Sequence, residues 1–268
     1  IIFLLFNLVL IYIGVLENII FYRQDGGIRQ TFGFASPNSF GGIIMSICFE
    51  WLYLKRNKIN GLKLSLLVLV SIILAIICDS RTAELCLILL VIFILLFNKK
   101  IYLKKVIPYI PIILTGISLV LVYLYDGQYS FIMKLDDILS TRITCAYNFF
   151  NLYDLNLFGN FFEETDVWLG YMNTLDNAYL YLLLNQGILL YVFVIFINMK
   201  ILKIAVKENN TVLVAILITF CLYGLMERGT FFITYNVFLL CAKDLLFKNK
   251  ELEEKQYERI DKCNSTSI

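Results

Sequence analysis

The chain is a succession of eight apolar runs, at 1–20, 37–54, 62–77, 83–97, 106–125, 177–199, 211–226 and 229–247, with charges kept to their ends. A helix needs about 20 such residues to cross the hydrocarbon of a bilayer. Only helices and closed barrels can bury a spanning backbone there, because lipid offers its polar groups no partners. The expected fold is therefore all-α: a polytopic membrane bundle of about eight spans. Composition agrees, with 60 % hydrophobic and 16 % charged residues and a mean hydropathy of +0.78, against roughly 45–50 % and about 25 % in a globular domain. The lipid bilayer is thus the first expected partner. The division follows as spans at 1–125, an outer loop at 126–176, spans at 177–247 and a solvated tail at 248–268. A start without methionine reads as the middle of a longer protein, with spans upstream.

Net charge is only +2 and gives no reason to invoke nucleic acid. The absence of histidine excludes His-based acid–base chemistry and His-ligated metal. The seven cysteines form no CxxC pair, and most sit inside apolar runs, where cysteine behaves as a small hydrophobe. A Cys78–Cys145 disulfide is a minor alternative. No metal site and no cofactor are expected.

Basic residues set the orientation. Alternate connections and the tail hold seventeen of the 23, led by Lys55, Lys58, Lys99, Lys100, Lys104, Lys105, Lys200 and Lys203. The opposite connections hold the other six: Arg23, Arg29, Arg81, Lys134, Arg142 and Arg228. The lysine-rich side is the expected cytoplasmic one. The outer set is five-sixths arginine, whose fork grips phosphate or carboxylate bidentately.

One outer segment, 21–38, wedges Arg23, Asp25 and Arg29 between two spans and ends in Ser36-Pro37-Asn38, a helix opening. Another, 126–176, has helical periodicity from Phe131 to Tyr153, so one amphipathic helix is expected to lie on the outer interface or roof a cavity. Arg142 falls within its apolar face, either snorkelling to headgroups or aimed into a site below. Tyr147, Phe149, Phe150, Tyr153, Phe161, Phe162 and Trp168 of this segment stack on sugar rings or pack on one another.

Four spans begin at the outer face with polar signatures: Ser36-Pro37-Asn38, Asp79-Ser80-Arg81-Thr82, Asp176-Asn177 and Glu227-Arg228-Gly229. Each is either a simple cap or, where amides stay uncovered, part of an anion site. Converging beside the outer arginines, they would stabilise charge building on a departing phosphate. Asp176 and Glu227, at the outer ends of spans, are candidate bases for a sugar hydroxyl. Asp79 is placed to orient Arg81.

The order of these motifs resembles the O-antigen and capsule polymerase family, which also includes the O-antigen ligases. The resemblance lies in Arg29-x-x-Phe32-Gly33-Phe34-x-x-Pro37-Asn38, Asp79-Ser80-Arg81-Thr82-Ala83, Arg142 with Leu157-Phe158-Gly159, and Leu175-Asp176-Asn177-Ala178-Tyr179 with Asn185-Gln186-Gly187-Ile188. It implies a metal-independent membrane glycosyltransferase that joins oligosaccharide repeat units carried on undecaprenyl diphosphate at the outer face. A chain-length regulator and a flippase are the implied protein partners. By motif Arg29, Arg81 and Arg142 carry over as catalytic; Asp176 and Glu227 join them by their place at the outer ends of spans. Arg23, Arg228, Asn38, Asp79, Ser80, Asn177 and Tyr147 are the expected substrate-binding set, Arg23 and Arg228 by location alone. The ligase branch uses a late outer histidine, absent here, which favours a repeat-unit polymerase. A ligase-like transferase and a transporter or flippase of lipid-linked oligosaccharide are the alternatives; the clean span centres argue against transport.

Overall fold

The structure, a computed structural model, describes residues 2–22, 28–34, 36–97, 103–127, 129–162, 174–232 and 235–239. It is mainly helical, in the order α1 (Ile2–Tyr12), β1 (Ile20–Tyr22), β2 (Ile28–Gln30), α2 (Pro37–Leu54), α3 (Gly61–Cys78), α4 (Arg81–Phe97) and α5 (Ile110–Asp126). There follow α6 (Ser130–Ile138), α7 (Arg142–Leu152), α8 (Ala178–Tyr181), a π-turn at Leu182–Gln186, α9 (Ile188–Lys207), α10 (Thr211–Tyr223) and 3-10 turns at Arg228–Phe231 and Val237–Leu239.

The core is organised around α10. Its residues are apolar on every side, and Val214, Ala215 and Ile216 are fully buried. A helix of that pattern needs neighbours all round, and α2, α4, α5 and α9 supply them. Phe49 of α2 meets Phe220 edge to face, with centroids 5.0 Å apart. At 13 residues α10 is only about 20 Å long.

Among the described residues, three helices are long and apolar enough to cross a membrane: Gly61–Cys78, Ile107–Asp126 and Ala178–Lys207. Each buries under two-fifths of its apolar window inside the protein. The remainder points outward, as Leu66, Leu69, Ile72, Ile73 and Ile76 do on α3. Of the other expected spans, α2 has the length, but Asn38, Ser39, Ser46 and Glu50 dilute its apolarity, and α4 stops at 17 residues. The run 211–226 is helical only to Tyr223, and 229–247 holds two 3-10 turns before passing outside the described residues. The tail at 248–268 lies outside them too.

The expected first span, 1–20, is corrected. Helix α1 ends at Tyr12 because Gly14 N–H bonds Ile11 O at 3.0 Å and Val15 N–H bonds Leu10 O at 2.8 Å, the paired closure of a Schellman turn. The chain then runs extended, and Phe21 pairs with Arg29 in an antiparallel hairpin. Asn18 Oδ1 accepts Phe32 N–H at 3.0 Å, and Thr31 Oγ1 accepts Ile19 N–H at 3.1 Å, fixing that hairpin's base.

The single helix expected from Phe131 to Tyr153 is also corrected, to two. Ser140 and Thr141 take positive φ, 56° and 63°, and break it. Asp136, 4 % exposed, turns back to accept Ile143 N–H at 2.7 Å and Thr144 N–H at 3.1 Å, and it also bonds the Thr144 hydroxyl. A buried carboxylate capping the free amides of α7 outweighs the left-handed backbone it requires.

Candidate functional site

At one end of the bundle the four polar segments singled out in the sequence touch one another. Ser36 caps α2 through its Oγ, which accepts Ser39 N–H at 3.1 Å, and Pro37 fills the first helical position. Asn38 follows and projects toward Glu227: its Nδ2 donates to Glu227 Oε1 at 2.8 Å. The opening of α4 lies against the same turn of α2, so close that a Cβ on Gly41 would sit 2.3 Å from Ser80 Oγ. Behind Glu227, Gly224 O accepts Ala178 N–H at 2.8 Å, joining the turn after α10 to the start of α8.

Arg142 stands at the centre. As the first residue of α7 it is aimed by the Asp136 cap, and its side chain is 19 % exposed. Nε donates to Asp176 Oδ2 at 3.1 Å, and Nη2 donates to Glu227 Oε1 at 2.8 Å. Arg29 enters from β2, with Nη2 donating to Asn38 Oδ1 at 2.5 Å. A continuous path therefore runs Arg29–Asn38–Glu227–Arg142–Asp176. Asn38 thus joins Arg29 to Glu227 through its Oδ1 and its Nδ2.

Asn177 is likewise a brace. Its Oδ1 accepts the Tyr179 and Leu180 amides, both at 3.1 Å, while Nδ2 reaches Ser118 Oγ at 2.8 Å and Leu225 O at 3.2 Å. Capping α8 also holds Asp176 beside Arg142. A small, partly open hollow lies next to the guanidinium. Arg142, Ser118 and Asn177 give it a polar side, and Leu121, Val122 and Leu180 an apolar one.

The other expected site residues lie elsewhere. Arg81 is on the rim, its side chain 58 % exposed and its Nε 3.5 Å from Asp79 Oδ1. Exposed pairs of this kind contribute little. Ser80 is buried in the α2–α4 contact. Tyr147 donates to Asp126 Oδ1 at 2.5 Å and leans on Tyr125, outside the lining of the hollow. Arg228 lies over the Tyr181 ring at 5.5 Å, a cation–π distance. It opens a 3-10 turn, where a long helix was expected. Arg23 and Trp168 lie outside the described residues. Of the loop aromatics, Phe149, Tyr153 and Phe162 pack on one another, with Tyr153 and Phe162 stacked at 4.6 Å. Cys78 and Cys145 are free thiols.

Burial pushes the Glu227 carboxyl up to about 7; Arg142 opposes the shift, Asp176 adds to it, and Arg29 and Arg228 oppose it. Glu227 thus titrates near neutrality with its proton state tied to Arg142. Among the described residues, no three His, Cys, Asp or Glu side chains cluster as a metal site.

Two supporting residues escaped the sequence reading. Asp136 carried a signal, an acid five residues before Thr141-Arg142, hidden because the helix was read through the break. Ser118, which anchors Asn177, had none: a lone serine in an apolar run looks like any small polar residue.

No protein-family model matches the chain, and no curated protein and no solved structure shows significant similarity to it.

Proposed function

We propose that this protein is a polysaccharide repeat-unit polymerase, transferring a growing glycan from undecaprenyl diphosphate to a sugar hydroxyl of another lipid-linked unit. In this reading the chain crosses the cell membrane several times, and the Arg142 end faces outward. The observation that carries it is Arg142 held by Asp176 and Glu227 where four polar segments meet, with Arg29 joined through Asn38.

The reaction asks two things of a site without a resident cofactor. The anomeric C–O bond to diphosphate breaks and its electron pair leaves on phosphate oxygen, so fixed positive charge must stand there; Arg142 and Arg29 fill that role. The attacking hydroxyl forms the new C–O bond and gives its proton to a carboxylate, for which Asp176 and Glu227 are the candidates. The hollow beside Arg142 has an apolar wall for a lipid-borne donor.

The test supplies purified lipid-diphosphate repeat units to the full chain in vesicles and resolves products by length. A ladder of polymers is expected. Folded, inserted protein that yields none, with repeat units of its own host, would end this reading.

A further inference from the structure

Arg142 already holds two carboxylates. Asp176 takes its Nε and Glu227 its Nη2, and the same Glu227 oxygen also receives Asn38. An anion approaching the guanidinium therefore meets two negative groups at its binding edge. Arg29 reaches this cluster through Asn38. Either the anion is repelled or one carboxylate gives up its charge.

We infer that occupation of Arg142 by an anionic group is coupled to uptake of one proton by Glu227, the anion taking Glu227's place on the guanidinium. The choice between the two carboxylates follows from their surroundings. Glu227 is the more enclosed, 14 % exposed against 21 % for Asp176, and follows directly on the buried helix α10. The charged and titratable groups around it are Arg142 from α7, Asp176 ahead of α8, Arg29 from β2, its neighbour Arg228, Cys86 of α4 and Tyr223 of α10. Asn38 reaches it from α2 uncharged. Removing Arg142 from Glu227, by giving the guanidinium another anion, withdraws the strongest of the charges that favour its ionised form. A carboxyl already titrating near 7 then holds its proton at higher pH.

The inference rests on the anion-site part of the proposed function and not on glycosyl transfer. It also divides the labour: a protonated Glu227 cannot accept a hydroxyl proton, which leaves Asp176 as the base.

The test is titration calorimetry of the full chain in nanodiscs with geranyl sulfate, whose single charge does not change between about pH 6 and 9. Inorganic sulfate forms a second arm. Measurements in buffers of different ionisation enthalpy count the protons taken up. Expected are up to about one proton per anion and a Kd that rises by as much as about tenfold per pH unit above neutrality. Stronger binding of geranyl sulfate than of sulfate would assign the anion to the lipid, and equal binding would assign it to solution, with proton uptake in both. Glu227→Gln should bind at the low-pH affinity throughout and take up none. Asp176→Asn should move the onset of weakening to lower pH, because one of the charges raising Glu227 is gone. Binding without proton uptake, or a pH slope that survives in Glu227→Gln, overturns the coupling and leaves the anion site standing. No binding at any pH overturns both. The proton count in the unaltered protein needs no variant to fold.

Discussion

Arg142 does what a lysine at its position cannot. Its Nε and Nη2 hold separate carboxylates 3.1 and 2.8 Å away, and a single ammonium cannot reproduce that fork. Arg142→Lys is expected to lower turnover about 10²–10³-fold, read as loss of the product ladder, while insertion and monodispersity in detergent persist. Polymer of normal length from this variant would count heavily against the site. Asp176→Asn should cost about 10²–10⁴-fold in turnover, whereas Glu227→Gln should retain most of it and flatten the alkaline limb of the pH profile. Stability provides a separate check. Glu227 titrates near 7 in the fold against an ordinary 4.5, so the folded state binds the proton more tightly than the unfolded one. Its contribution is full below pH 4.5, falls as pH rises to 7 and is flat above. Thermal unfolding in detergent should show that decline, and Glu227→Gln should lessen it. Asp176 and Glu227 were visible in the sequence as charges at the ends of spans, and Arg142 as a charge within the apolar face of the loop helix. Their pairing was not, since it depends on Asp136 and Asn177 aiming segments that lie 34 and 85 residues apart.

At the scale of elements, what could be read was what depends on near neighbours. The Ser36-Pro37 start of α2 and the Asn177 cap follow from local chemistry and stand where the sequence puts them. The break at Ser140-Thr141 does not, because neither residue forbids a helix; a cap formed by Asp136 across the break decides it. The Leu157-Phe158-Gly159 and Asn185-Gln186-Gly187-Ile188 motifs gain a structural meaning of the same non-local kind. Asn160 and Phe161 N–H bond Leu184 and Asn185 O at 3.1 and 3.0 Å, and Ile188 N–H bonds Asn156 O at 3.0 Å. The loop at 156–161 is thereby laced to the π-turn between α8 and α9. Gly187 has φ 88° and ψ 168°, a region open essentially to glycine alone. A Cβ there would lie 2.3 Å from Gly159 N. Gly187→Ala should therefore destabilise by about 2–5 kcal/mol from backbone strain and overpacking together, seen as a lower Tm in detergent. An unchanged Tm would mean that this lacing is not a source of stability.

For the whole molecule the question is which end faces outward. The site end gathers Arg29, Arg81, Arg142 and Arg228 on one side of the bundle. At the other end Lys104 Nζ bonds Asn209 Oδ1 at 2.6 Å, so the connection before α5 meets the one between α9 and α10. Lys55, Lys58 and Lys63 bracket the turn from α2 to α3 at the end opposite Asn38, since α2 runs from Pro37 away to Leu54. The separation of lysine from arginine inferred along the sequence is thus matched by the course of α2 through the fold. Lysine excess marks the side that stays in the cytoplasm, so on the proposed reading the arginine end faces the exterior. A tag placed after Lys250 should then resist membrane-impermeant reagents in intact cells and react once the cells are opened. A cysteine at Glu163 in a background lacking the native thiols should react from outside. Both positions lie outside the described residues and are assigned by charge alone. Reactivity of the Lys250 tag in sealed cells, with protection at Glu163, would put the arginine end in the cytoplasm and leave the polymerase reading without its substrate.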